Sequence, residues 1–233
     1  MTAEVLERRA TEHGELVLRR SQDGQLELIM NGVFLMSTSN GPSERELVRV
    51  ALHGQRDGAA VLIGGLGAGF SLAEALAAPR PAPRPAPRPA PRPETPKVGT
   101  VIVVESEPDV IAWGSSYFRR YNEGALNDPR VTVVQADLAE YAASATAGSF
   151  DAICLDTDNG PDWLSRPGNA ALYEYPGLAR LRDLLRPHGR LAVWAAAENP
   201  AFAARLTSLF ATAGITRVPA GRGPDDIIYL ASR

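Results

Sequence analysis

Two periodicities divide the chain. Up to Met36, short runs of apolar residues alternate with turn residues. Residues 15–20 and 25–30 read as strands separated by the turn Ser21-Gln22-Asp23-Gly24, and residues 33–36 form a third short run after Asn31-Gly32. The segment Asn40-Gly41-Pro42-Ser43 then breaks the chain. Ser43 with Glu46 three residues on has the form of a capping box. It predicts a helix over 44–53 with Leu47, Val48 and Leu52 on one buried face. From Ala60 onward, near-continuous apolar runs at 60–63, 100–104, 131–135, 152–155 and 190–194 alternate with helical stretches at 70–77, 108–118, 138–145 and 171–185. Such alternation predicts a parallel sheet covered on both faces. The carboxyl end departs from it: a helix over 200–213, a run at 216–219, the turn Gly221-Arg222-Gly223-Pro224 and a last strand over 226–231 predict an antiparallel hairpin at the sheet edge.

These elements divide into a small amino-terminal β-hairpin unit with its helix, residues 1–55, and a Rossmann-like α/β domain, residues 56–233. A Pro-Ala-Pro-Arg repeat interrupts the second at 79–96. Alternate prolines exclude helix and ladder, so the repeat predicts an exposed polyproline II excursion that, from Pro79 to Pro93, reaches about 45 Å at roughly 3.1 Å per residue. Its arginines suit an acidic partner or an SH3-like groove, but an expanded repeat in a tolerant loop is the favoured reading. A parallel sheet ending in an antiparallel hairpin resembles the seven-stranded sheet of class I S-adenosylmethionine (SAM) transferases.

Composition narrows the setting. The 233 residues, 45% hydrophobic and 22% charged, suffice for one large α/β domain with a small appendage. A net charge of −3 gives no general affinity for nucleic acid. The lone Cys154 excludes an internal disulfide and a multi-cysteine zinc site. No metal is expected, and a reducing, cytoplasmic setting fits. Residues 1–14 are charged and lack an apolar signal core. The apolar stretch 59–73 is short, contains four glycines and runs into Glu74, so it predicts a strand–turn–helix rather than a membrane span.

The chemistry gathers at strand ends. Gly64-Gly65-Leu66-Gly67-Ala68-Gly69 follows the first parallel strand and opens a helix, so its backbone can approach a nucleotide closely. Alone such a loop is a weak signal, since a tight structural turn has the same form. Glu105 ends the next strand, where a carboxylate accepts bonds from ribose hydroxyls. Asp137 ends the third, where the likeness to SAM transferases implies a bond to the adenine amino group and the residue type itself suits a cap for the following helix. Asp156 ends the fourth, as a base for an incoming nucleophile or as the cap of the loop after it. Asp158 and Trp163 are candidates for the acceptor side, and Tyr173 and Tyr175 for the pocket entrance or for anchoring the next helix. Cys154, inside an apolar strand, reads as core. His13, His53 and His188 share no ligand spacing and receive no chemistry.

The ordered set of the Gly-rich loop, Val103-Val104-Glu105-Ser106-Glu107-Pro108-Asp109-Val110-Ile111, Ala136-Asp137-Leu138 and Asp156-Thr157-Asp158-Asn159-Gly160-Pro161 resembles the spermidine synthase family, as do the small β unit and the ending Asp225-Asp226-Ile227-Ile228-Tyr229. The resemblance implies an adenosyl donor, SAM or decarboxylated SAM, bound by Gly64, Gly65, Gly67, Gly69, Glu105 and Asp137. It makes Asp156 the proton acceptor. Three departures bear on specificity. Gly67 stands where the family has a donor-binding Asp. Ser43-Glu44-Arg45-Glu46 replaces its Tyr-His-Glu segment, and the second carboxylate after the fourth strand is shifted by one residue. These favour methyl transfer to a small amine or similar nucleophile over aminopropyl transfer to a polyamine, with a non-catalytic adenosyl-binding protein as the third alternative. Partners reduce to a small-molecule acceptor, with neither nucleic acid nor membrane, and a homodimer is left open.

Overall fold

Alternation of apolar and polar positions builds the first sheet. The computed structural model describes residues 3–77, 96–220 and 223–233. The Pro/Arg repeat and Gly221-Arg222 therefore lie outside the described residues. Strands β1 (Glu4–Thr11), β2 (Gly14–Arg20), β3 (Leu26–Met30) and β4 (Val33–Ser37) form an antiparallel four-stranded sheet in sequential order. β1 is an addition to the sequence expectation. Its largely exposed, charge-rich residues hide the strand period, and ion pairs such as Arg20–Glu4 at 2.8 Å and Arg8–Glu15 at 2.5 Å cross to β2. Such charges are typical of an edge strand that must not pair further.

The helix after this sheet, α1 (Gly41–Leu52), begins three residues before the expected start. Asn40 takes the N-cap position without a side-chain cap, and Pro42 occupies the first turn. The expected capping box does not form. Ser43 Oγ donates to the Asn40 carbonyl at 3.1 Å and accepts from Trp194 Nε1 at 3.2 Å, while Glu46 pairs with Arg49 at 3.4 Å.

The second sheet follows from strands buried on both faces. It contains β5 (Ala59–Gly64), β6 (Val98–Glu105), β7 (Val131–Gln135), β8 (Phe150–Leu155), β9 (Leu185–Ala195), β10 (Thr212–Val218) and β11 (Asp226–Ser232). Their order is β10-β11-β9-β8-β5-β6-β7; β10 and β11 are antiparallel, β11 is antiparallel to β9, and the remaining pairs are parallel. Alternation sends Val61, Ile63 and Cys154 into one core and Leu62, Ile153 and Leu155 into the other, which explains the unbroken apolar runs.

Helices α2 (Phe70–Leu76), α3 (Pro108–Ser115), α4 (Leu138–Ser144), α5 (Ala170–Tyr173), α6 (Tyr175–Leu184) and α7 (Pro200–Leu209) cover this sheet. The expected single helix over 171–185 is two. Glu174 is extended at the break, Pro176 sits in the first turn of α6, and a Cβ on Gly177 would lie 1.9 Å from the Ala171 carbonyl oxygen. Likewise α7 ends at Leu209 rather than Ala213, because Thr212 to Val218 pair with β11 along their length. The fold is thus the expected seven-stranded α/β sheet with a small amino-terminal β unit. Chain order reverses between β5 and β8, and their carboxyl ends open onto the crevice where such sheets hold ligands.

Candidate active site

At that crevice a cavity runs from the ends of β5, β6 and β8 to the inner face of the small sheet. Its walls include Gly65, Gly67, Glu105, Val110, Leu138 and Asp156, together with Met30 and Leu35 from the small sheet.

The Gly-rich loop and β8 fit closely. Gly65 has φ +87°, and a Cβ there would lie 2.3 Å from the Asp156 carbonyl oxygen, so only glycine meets both demands. Asp156 N–H donates to the Gly64 carbonyl at 2.8 Å, which fixes the start of the Asp156 loop against β5. Gly67 faces the cavity, with open space where a side chain would begin. Gly64 and Gly69 stand behind the lining: a Cβ on Gly64 would strike Leu138, and one on Gly69 would strike Asn122.

Glu105 extends from the end of β6 into the cavity. Its Oε2 accepts from Leu66 N–H and its Oε1 from Glu107 N–H, each at 2.9 Å. Burial raises its pKa, and these backbone donors pull it back. The carboxylate is therefore pre-positioned, with lone pairs left for a diol.

Asp137 is placed differently. Its Oδ1 caps α4 by accepting from Ala139 N–H at 2.8 Å and Glu140 N–H at 3.2 Å. Its Oδ2 accepts from Arg166 Nη2 at 3.0 Å. Asp137 is absent from the cavity lining, where Ala136, Leu138 and Arg166 stand instead. Arg166 also meets His13 Nε2 at 3.0 Å, and His13 Nδ1 meets Glu107 Oε1 at 2.6 Å. His13, assigned no chemistry from its spacing, thus ties the β1–β2 turn to the rim of the cavity.

Asp158 lines the cavity as a structural pin. It accepts from Ser165 N–H at 2.6 Å, Ser165 Oγ at 2.7 Å, Asn169 Nδ2 at 2.9 Å and Tyr173 OH at 2.8 Å. Tyr173 is correspondingly 2% exposed and lies behind the cavity wall. Trp163 is 55% exposed and lines no part of the cavity; the turn Gly160–Trp163 carries its side chain outward. Trp163 thus lies outside the cavity lining, and Tyr173 packs behind it, where it anchors the Asp158 loop.

The opposite end of the cavity is acidic. Asp156 Oδ2 accepts from Ser71 Oγ at 3.0 Å. Burial raises the Asp156 pKa to about 6; the Ser71 bond lowers it and the Asp226 charge raises it. Glu44, from the first turn of α1, is 6% exposed, lines the same cavity and has its pKa raised well above the usual carboxylate value, first by burial and then by Asp156. Asp226, at the start of β11, is also raised, mainly by burial. Trp194 walls this end, held by Ser43. Cys154 is fully buried beneath it, and burial pushes its thiol far above the ordinary value, consistent with a core residue. Sequence reasoning missed Glu44, Asp226 and Arg166. A signal for Glu44 existed: with Leu47, Val48 and Ala51 it completes the i, i+3, i+4, i+7 face of α1. Among the described residues, no group of three or more His, Cys, Asp or Glu is arranged to hold a metal ion. No helix among them is long and apolar enough to cross a membrane.

Comparison with known proteins finds relatives in sequence and in fold. The chain is 31% identical over 169 residues to putrescine N-methyltransferase 1 of Nicotiana tabacum, a match covering 72% of this chain and 36% of that protein. It is 29% identical over 196 residues to polyamine aminopropyltransferase 1 of Streptomyces coelicolor, covering 81% of this chain and 32% of the relative. The chain therefore spans about a third of the length of the curated relatives it matches. A crystal structure of spermidine synthase in complex with the transition-state analogue AdoDATO superposes with a TM-score of 0.76 at 19% identity, covering 98% of this chain and 73% of that one. Spermidine synthase from Thermotoga maritima gives a TM-score of 0.74 at 19% identity, with 98% and 72% covered. No protein-family model matches the chain.

Proposed function

The chain is spermidine synthase-like in sequence and fold, and from that premise we propose that it transfers a methyl group from SAM to a small amine. The observation that carries this reading is the polarity of one cavity. Glu105 and the Gly-rich loop sit at one end, and the buried carboxylates of Asp156 and Glu44 at the other. The donor's ribose diol would bond the free lone pairs of Glu105, and its adenine would lie against Val110, Ala136 and Leu138 with Arg166 at the rim. Its sulfonium would then point toward Asp156.

In the reaction, Asp156 takes a proton from the acceptor ammonium, and the freed lone pair forms the N–C bond to the methyl carbon. The S–C bond breaks at the same time, its electrons staying on sulfur as the neutral thioether. The sulfonium is intrinsically reactive, so the protein contributes mainly alignment and one proton acceptor. An Asp156 pKa of about 6 suits that role, because the group is ionised at neutral pH yet basic enough to hold a proton in passing.

A second reading, aminopropyl transfer from decarboxylated SAM, is favoured by the match to a polyamine aminopropyltransferase. Gly67 argues for the methyl reading. Open space in place of a carboxylate there removes a charge that would hold a donor amine and repel the carboxylate of intact SAM. The test is incubation with each donor and a panel of diamines and monoamines. Methyl transfer releases S-adenosylhomocysteine and aminopropyl transfer releases methylthioadenosine. Release of neither with any amine contradicts a transferase.

A further inference from the structure

The Glu44 carboxylate has no hydrogen-bond or ion-pair partner among the described residues, although it is 6% exposed and faces the cavity. Only its backbone carbonyl is engaged, accepting from Ser71 Oγ at 3.2 Å. The nearest cation in sequence, Arg45, is turned away. Its guanidinium lies 5.2 Å from the centroid of the Phe70 ring and meets Glu74 at 3.7 Å and Glu123 at 3.5 Å. Buried carboxylates are ordinarily matched by donors or cations, as Asp158 is in this same cavity, and an unmatched one is costly. The cost is relieved when a cation enters the cavity.

We propose that Glu44 is an acceptor-binding residue whose carboxylate takes the alkylammonium group of the acceptor as its counter-ion, leaving Asp156 as the proton acceptor. This assignment rests on the amine-transferase reading and sharpens it, because a neutral nucleophile such as an alcohol would leave Glu44 unmatched. Charge on Glu44 is the specificity element: the site selects organic cations by completing an ion pair that the folded chain leaves open.

The groups facing Glu44 define a linked proton. Burial, Asp156 on β8 and Asp226 on β11 all disfavour its ionised form, and only Arg45 on its own helix favours it. An arriving ammonium reverses this balance, so acceptor binding expels a proton from Glu44. Acceptor affinity rises with pH through the Glu44 titration and falls again only as the amine itself loses its charge, near a pKa of about 10.

The experiment is calorimetric titration of the full chain, preloaded with methylthioadenosine, with 1,4-diaminobutane in two buffers of different ionisation enthalpy. Wild-type protein is expected to release protons on binding. E44Q is expected to bind the amine about 10- to 100-fold more weakly, the loss of one charge-assisted bond, and to release none from this site. E44D, keeping the charge on a shorter arm, is expected to recover part of both, while methylthioadenosine affinity stays within threefold in every variant and shows that each is folded. In steady state, E44Q raises the KM for amine while kcat at saturating amine falls by less than about threefold. Equal amine affinity and equal proton release in wild type and E44Q overturn the assignment of Glu44 alone, given that methylthioadenosine binds. A fall in kcat with unchanged KM also overturns it, by making Glu44 a base. Failure of wild-type protein to bind methylthioadenosine overturns the adenosyl reading beneath it.

Discussion

The two ends of the cavity are both lined with carboxylates, yet they differ in how fully those carboxylates are hydrogen-bonded. At the donor end and along the pinned loop, Glu105, Asp137 and Asp158 accept from backbone N–H groups, Arg166, Ser165, Asn169 and Tyr173. At the Asp156 end, Asp156 has one hydroxyl partner and Glu44 has none; burial raises the pKa at both ends, but only at Glu105 do backbone N–H donors oppose it. The difference separates two uses of the same chemical group. A satisfied carboxylate fixes backbone, so that a neutral diol meets a preformed acceptor. An unsatisfied one stores an electrostatic demand that a cationic ligand meets.

Substitutions at each end break this comparison in different observables. The largest effect is expected from Asp156→Asn on turnover, which should fall by about 10²- to 10⁴-fold while donor affinity holds within a few fold, read by steady-state kinetics with calorimetry. In wild-type protein, kcat/KM should climb with pH through about 6 as Asp156 ionises. Glu105→Ala should weaken methylthioadenosine binding by about 2–4 kcal/mol. It should also lower the melting temperature, because Leu66 and Glu107 N–H lose their acceptor.

Stability sharpens the contrast further. Asp158→Ala removes a buried acceptor shared by several donors and should cost about 3 kcal/mol, a fall of roughly 6–12 °C in Tm for a chain of this size. Asp156→Asn should act in the opposite direction. The folded pKa of about 6 lies above the ordinary 3.8, so the native carboxyl binds protons more tightly than the unfolded one. The Asp156 contribution to stability therefore falls as pH rises from about 4 to about 6, and the Asn variant should be more stable than wild type at pH 7.5 by about 1–3 kcal/mol and lose that advantage at pH 4. Thermal melts at the two pH values decide it. The smallest effect is expected from Asp137→Asn. Asn caps a helix about as well as Asp, so the loss should be under about 1 kcal/mol, with methylthioadenosine affinity changed less than threefold.

Much of this arrangement was legible before any coordinates. Apolar runs with period-2 packing on both faces announced β5, β6, β8 and β9, and the Gly-rich loop, Glu105 and Asp156 follow from their places at strand ends. What escaped was set by tertiary contact. β1 is visible only as a partner of β2, because both its faces are largely exposed. Asp137 caps α4, one of its two expected roles, but its bond to Arg166, distant in sequence, was not legible. Ser43 and Glu46 have capping-box spacing, but Pro42 and Trp194 draw the helix start back to Gly41 and turn Glu44 inward. A charged residue at a core-facing helical position was the available clue, and the capping-box assignment of its neighbours obscured it.

The proposed function requires that the cavity between β5, β6 and β8 receive an adenosyl group at its Glu105 end. Parallel calorimetry with SAM, decarboxylated SAM and methylthioadenosine tests it most directly. Binding of methylthioadenosine at one site per chain, with SAM bound more tightly than decarboxylated SAM, is the predicted result. No binding by any of the three would contradict the claim.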